Sequence, residues 1–143
     1  MQIQGRCHCG NIAFALDGFP TPGAIPARAC DCTFCQKHGA VWTAHPTARL
    51  RVTLAEPLHV SRYRFGTGTA QFLVCSTCGV VPVVLSDVEG QRYAVVNVHT
   101  FENVDASMLR PQPVSFGEED AATRLARRQH HWIAQVEVIE GTS

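Results

Sequence analysis

Seven cysteines fall in three tight clusters, and nothing else in this 143-residue chain limits its folding so narrowly. The first cluster is Cys7-His8-Cys9, the second Cys30-Asp31-Cys32-Thr33-Phe34-Cys35 and the third Cys75-Ser76-Thr77-Cys78. None stands alone as a buried core thiol would. Spacings this short let one turn aim two sulfurs at one ion, and zinc takes a tetrahedron of soft ligands. An odd number leaves one thiol over in any disulfide scheme. Two closed all-cysteine sites would need an eighth cysteine, whereas four plus three leaves no remainder.

The middle cluster can supply three sulfurs unaided. Cys7, Cys9, Cys75 and Cys78 then share a closed site that ties distant parts of the chain together. A closed site of four ligands is usually structural, while three ligands and an open position is the usual catalytic pattern. Metal held only by the ordered site adds its binding free energy to folding. Two alternatives stay open. Both zincs are structural, with His8, His38 or another side chain completing the second; or the thiols are redox groups, which leaves their clustering unexplained.

Twelve basic residues balance twelve acidic ones, which argues against a broad nucleic-acid or membrane surface. No run of eighteen apolar residues appears, so no membrane span is expected. Met1 to Arg6 lead straight into Cys7, so no signal peptide is expected, and a reducing cytoplasm favours metal over disulfides. The length predicts one domain over residues 1–143, long enough to bury about two-thirds of its unfolded surface.

The pattern along the chain is mainly β. Ile12, Phe14 and Leu16 alternate as a strand, broken by Asp17-Gly18 and by Pro20-Thr21-Pro22-Gly23. Further strands are expected at 41–44, 50–54, 59–65 and 69–74, the last two forming a hairpin across Gly66-Thr67-Gly68. Runs at 80–85 and 93–98 flank a turn at 87–90, and Pro82 predicts an edge position or bulge. One late helix is expected, with acid from Glu118 to Asp120 at its start and Arg124, Arg127 and Arg128 towards its end, as the helix dipole favours. A last strand follows over 132–139.

Cys-x-Cys-Gly at 7–10, Cys-x-Cys-x-x-Cys at 30–35 and Cys-x-x-Cys-Gly at 75–79, with Tyr63-Arg64-Phe65-Gly66-Thr67-Gly68-Thr69 ahead of the third cluster, resemble the glutathione-dependent formaldehyde-activating enzyme and centromere-protein-V family. The resemblance covers about residues 3–100 and leaves the helix and strand of about 117–139 weakly matched. It implies a β-tent, a single zinc-binding domain of small antiparallel sheets held at their apex by metal. It implies two zinc ions per chain: a structural one on Cys7, Cys9, Cys75 and Cys78, and an exchangeable, catalytic one on Cys30, Cys32 and Cys35. The implied activity joins glutathione to formaldehyde as S-(hydroxymethyl)glutathione, a carbon–sulfur lyase reaction run towards the adduct. The partners expected are a small thiol and a small aldehyde, with neither membrane nor nucleic acid.

A thiol entering the open position would lose its proton to solvent, and the resulting thiolate could attack an aldehyde that the ion also polarises. Lys37 and His38 follow the last open-site cysteine and are candidates for offsetting its charge or meeting a substrate carboxylate, against a solvated loop pair. Arg64 is a second candidate for a carboxylate, against a structural contact, and Tyr63 alternates with it. His99 is a candidate proton carrier; His8, His130 and His131 read as surface, and Trp42 and Trp132 as core or rim. Gly10 and Gly79 are expected at positive φ, letting amides approach the sulfurs. The competing function is a non-catalytic, zinc-stabilised module that binds a protein partner.

Overall fold

The computed structural model describes residues 2–20, 24–116 and 118–141, so the expected break at Thr21, Pro22 and Gly23 lies outside the described residues. Period-two alternation forms the smaller sheet. Strand β1 (Ile3–Arg6) pairs antiparallel with β2 (Ile12–Asp17), where Ile12, Phe14 and Leu16 all point inward. Strand β5 (Arg49–Leu54) lies antiparallel beside β2 with Leu50, Val52 and Leu54 inward, and β11 (Gln135–Glu140) adds to β5 in parallel. The order is β1-β2-β5-β11.

The larger sheet contains β3 (Ile25–Cys30), β4 (Trp42–Thr43), β6 (Val60–Tyr63), β7 (Gln71–Cys75), β8 (Val83–Val88), β9 (Gln91–Asn97) and β10 (Leu109–Val114). Its order is β10-β3-β4-β9-β8-β7-β6. The β6–β7 pair is the expected hairpin. Glu89 and Gly90, both at positive φ, close β8 onto β9 in a two-residue turn whose twist suits a hairpin. Strands β8 and β9 are buried on both faces, so their apolar runs do not alternate. Pro82 does not mark an edge or a bulge. It sits just before β8, a central strand, and its carbonyl accepts from Asn97 N–H at 2.8 Å.

The fold is therefore mainly β with two sheets, but two of its ladders are parallel. Strand β10 shows why the sequence concealed one of them. Pro111 and Pro113 occupy alternate positions of an edge strand paired only with β3, so both missing N–H groups face away from the ladder. Read locally, two prolines in six residues argue against any strand.

The described residues form two α-helices, α1 (Thr33–His38) inside the second cysteine cluster and α2 (Ala121–His131), besides three short 3-10 turns. Helix α2 is the expected one, capped by the Asp120 carboxylate accepting from Thr123 N–H at 2.7 Å. It packs on β8. Just beyond it, Ile133 exchanges two backbone hydrogen bonds with Ala94 of β9, at 2.9 and 3.0 Å, which pins the helix against the larger sheet. No described helix is long and apolar enough to cross a membrane.

Candidate metal centres

The first sulfur group joins the two sheets. Cys7 and Cys9 leave the end of β1, while Cys75 closes β7 and Cys78 follows it in a turn. Their four sulfurs lie within 4.8 Å of one another. Cys9 Sγ is 3.5 Å from Cys75 Sγ and 3.8 Å from Cys7 Sγ. A zinc tetrahedron with Zn–S near 2.3 Å needs about 3.8 Å between sulfurs, so the arrangement fits that ion.

Gly10 and Gly79 hold the expected positive φ, at 87° and 81°. Each donates its N–H back to the first cysteine's carbonyl, Gly10 to Cys7 at 3.1 Å and Gly79 to Cys75 at 2.8 Å. The chain then reverses, and Ile12 N–H reaches Cys7 Sγ at 3.3 Å. Val80 N–H does the same for Cys78. A side chain at Gly79 meets nothing within 4 Å, so a substitution there is penalised by backbone conformation and not by a clash. Gly79→Val is expected to lose metal from the closed site on dialysis against mild chelator while the wild type keeps it. Equal zinc per chain in both would remove this role for the glycine.

The second group is more local. Strand β3 ends at Cys30, Cys32 is the N-cap of α1, and Cys35 lies in its first turn. Cys32 Sγ accepts from Cys35 N–H at 3.4 Å, a sulfur in the place an N-cap oxygen normally takes. Gly39, at φ 68°, ends the helix. The three sulfurs again lie within 4.8 Å of one another, and among the described residues no fourth cysteine, histidine or carboxylate ligand atom joins them. His8 and His38, the side chains considered for a fourth position, belong to neither group. Trp42 is more than a core aromatic: its indole N–H donates to Cys35 Sγ at 3.3 Å. Such partners orient and tune metal-binding thiolates.

Without metal, the sulfurs already divide into acidic and basic partners. The Cys35 thiol, donating to Cys30, holds Cys30 down at about 6 despite burial. That same donation, and burial, push Cys35 far up, although the Trp42 N–H acts against them. In the first group burial pushes Cys7 up to about 12, against the Ile12 N–H. Burial opposes ionisation of Cys78 as well, yet the N–H groups of Val80 and Cys9 and the neighbouring thiols bring it to about 6. Each group thus contains one readily ionised thiol, Cys30 or Cys78, while Cys7 and Cys35 must give up protons to a metal.

The family model for the glutathione-dependent formaldehyde-activating enzyme matches residues 2–119. The chain belongs to that family. A solved structure similar to this formaldehyde-activating-family chain is that of a Rhodobacter sphaeroides protein from structural genomics. It is 28% identical, covers 72% of this chain and 91% of its own, and superposes with a TM-score of 0.53. No curated protein matches the chain. The family match ends before α2 and β11 begin.

The three-sulfur group lies in a pocket of about 500 Å³ whose walls include Trp42, Phe65, Phe72 and Trp132. Several expected site residues lie elsewhere. Lys37 and His38 are exposed on α1 and do not line the pocket, and His38 rests 4.8 Å from the Phe34 ring. Arg64 donates to the Gly68 carbonyl at 3.1 Å, fastening its own turn, and does not line the pocket. Tyr63 stacks on Phe34 and Phe65, at 5.2 and 5.5 Å, on the exposed side. His8 and His99 are exposed, and neither lines the pocket.

The residues missed by sequence reasoning come from β3 and α2. Arg28, Arg124, Arg127, Arg128 and His131 all reach the pocket. Arg128, expected on a solvated helix end, is only 5% exposed. One local signal was present, since Arg28 and Cys30 stand two apart, on one face if the segment is a strand.

Proposed function

We propose that this protein joins a thiol, glutathione or a similar one, to formaldehyde or another small aldehyde, giving an S-hydroxymethyl-type adduct in the cytoplasm. It would act as a carbon–sulfur lyase running towards the adduct. The observation that carries this reading is the three-sulfur group, open to a pocket and lacking a fourth described ligand. Cys7, Cys9, Cys75 and Cys78 would hold a structural zinc, and Cys30, Cys32 and Cys35 a second, catalytic one. Bound there, that second ion supplies an acceptor position that keeps a substrate thiol ionised.

The chain's own residues do the rest. The Trp42 N–H fixes Cys35 Sγ, and the α1 N-terminus fixes Cys32 Sγ. The aromatic walls, Trp42 and Phe72 among them, exclude water and hold the two reactants together, which lowers the entropic part of the barrier. The substrate sulfur bonds to the carbonyl carbon, the C=O π pair moves to oxygen, and that oxygen gains a proton in place of the one the thiol gave up. A module that only bound a protein partner would have no use for a pocket that reaches three sulfurs.

Cobalt in place of zinc makes both centres visible. Glutathione titrated into the cobalt-loaded protein is expected to change the spectrum of one centre, with one equivalent per chain, and formaldehyde is then consumed. Two centres that both ignore glutathione would overturn the reading.

A further inference from the structure

The pocket's positive charge exceeds what the protein itself neutralises. Arg127 is satisfied, with a two-pronged contact to Glu119 at 3.0 to 3.2 Å and the Phe116 ring 3.6 Å beneath it. Arg128 donates Nη1 to Thr69 Oγ1 at 2.8 Å and Ser86 Oγ at 2.9 Å, both neutral, and its Nε is buried without a partner. Arg124 gives Nη2 to the Phe116 carbonyl at 2.9 Å, and its buried Nε has no hydrogen-bond partner but stands 3.8 Å from Glu119 Oε1. Arg28 makes no ion pair among the described residues. Four guanidiniums therefore meet one nearby carboxylate, Glu119, which Arg127 holds at 3.0 Å and Arg124 approaches at 3.8 Å, leaving Arg28 and Arg128 without one. Burial, then repulsion from Arg127 and Arg124, pulls Arg128 down to about 10. Unpaired buried charges carry a heavy desolvation cost, which an anion in the pocket would offset.

Position says what that anion belongs to. Arg28 and Cys30 lie on one face of β3, about 6 to 7 Å apart along the strand. The charge thus stands one side chain away from the open sulfur group, across an apolar wall that includes Trp42 and Val95. A ligand with sulfur at one end and a carboxylate several bonds away spans that gap. We propose that Arg28 and Arg128 form a receptor for a carboxylate of the thiol substrate, so that the pocket selects acidic thiols over neutral ones. The guanidinium fork is the group best shaped for a carboxylate. Arg128, one of the two receptor residues, lies on α2, beyond the family-matched residues, so α2 shares in setting substrate choice here. The proposal rests on the reading of the three-sulfur centre as the place of reaction.

Calorimetry on the zinc-loaded protein with S-methylglutathione and with its diethyl ester tests it. The blocked sulfur cannot ionise, so this readout does not depend on thiol capture. The free acid is expected to bind about tenfold tighter or more, the size of one or more charge-assisted hydrogen bonds, and less so at high salt. Arg28→Gln and Arg128→Gln are each expected to lose most of that preference. Arg28 is only partly buried and makes no ion pair among the described residues, so its variant is expected to fold even if the buried Arg128 variant does not. Equal binding of acid and ester, or an undiminished preference in Arg28→Gln, overturns the receptor. Tight, acid-selective binding of S-methylglutathione, beside a cobalt spectrum that glutathione leaves unchanged, would keep the receptor and discard the thiol-capture reading.

Discussion

Cys75→Ser is expected to empty the closed site and lower the thermal midpoint by about 10 °C or more. The sulfur is fully buried at the end of β7, 3.5 Å from Cys9, which hangs from the other sheet. A serine oxygen keeps the volume and removes the soft ligand. Structural zinc contributes about 10 kcal/mol or more of apparent binding energy in small domains. Loss of even about 5 kcal/mol shifts a domain of this size by about 10–20 °C. The larger core of this chain softens the effect but cannot replace the tie, because Cys7, Cys9, Cys75 and Cys78 join elements of both sheets. Zinc per chain and a thermal melt decide the matter together. A melt within about 3 °C of wild type would show that the sheets hold each other without the metal.

The metal-stripped wild type adds a pH signature with a definite sign. Cys30 and Cys78 fall from 9.0 to about 6 on folding, so they contribute stability that is fully present above 9 and lost as pH drops through 6. Cys7 rises from 9.0 to about 12, so its contribution is present below 9 and fades as pH climbs towards 12. Stripped protein is therefore expected to be most stable near pH 9 and to weaken steadily towards pH 6.

Cys32→Ser is expected to cut glutathione-dependent formaldehyde consumption by about 100-fold or more while leaving the fold intact. Losing even a side chain that only hydrogen-bonds to a ligand costs metal sites about 10- to 100-fold, and Cys32 is itself one of the three sulfurs. What makes this variant informative is the N-cap. Cys32 Sγ accepts from Cys35 N–H, and a serine hydroxyl is among the best N-cap acceptors, so α1 keeps its start. Activity and stability thus separate at one position. The melt should stay within about 3 °C of wild type and zinc should fall by one ion per chain. Undiminished turnover would show that the three-sulfur centre takes no part in the reaction.

Much of this site was legible in the sequence because its parts are local. Cys30, Cys32 and Cys35 lie within six residues, and each outer pair spans four or fewer, so spacing alone proposes which sulfurs share a turn. The structure brings together the same groups of four and three that the count of seven suggested. Strands β2 and β5 were legible through alternation, and α2 through the charges at its ends. Helix α1 was not, since six residues give no measurable period and its cap is a sulfur. Strand β10 was hidden by prolines that only an edge position makes harmless.

The arginine wall needed the tertiary structure. Arg124, Arg127 and Arg128 read along the chain as a basic helix end facing water, and helix chemistry alone permits nothing more. Docking of α2 on β8, pinned by the Ile133–Ala94 backbone pair, turned Arg128 inward and set it in one pocket with Arg28, 100 residues earlier in the chain. The sequence by itself determined where the sulfurs could meet a metal, because ligand geometry within a turn depends on a few bonds. Which charges face that metal was decided only by how the helix packs on the sheet, since a guanidinium's surroundings are set by whatever the fold brings next to it.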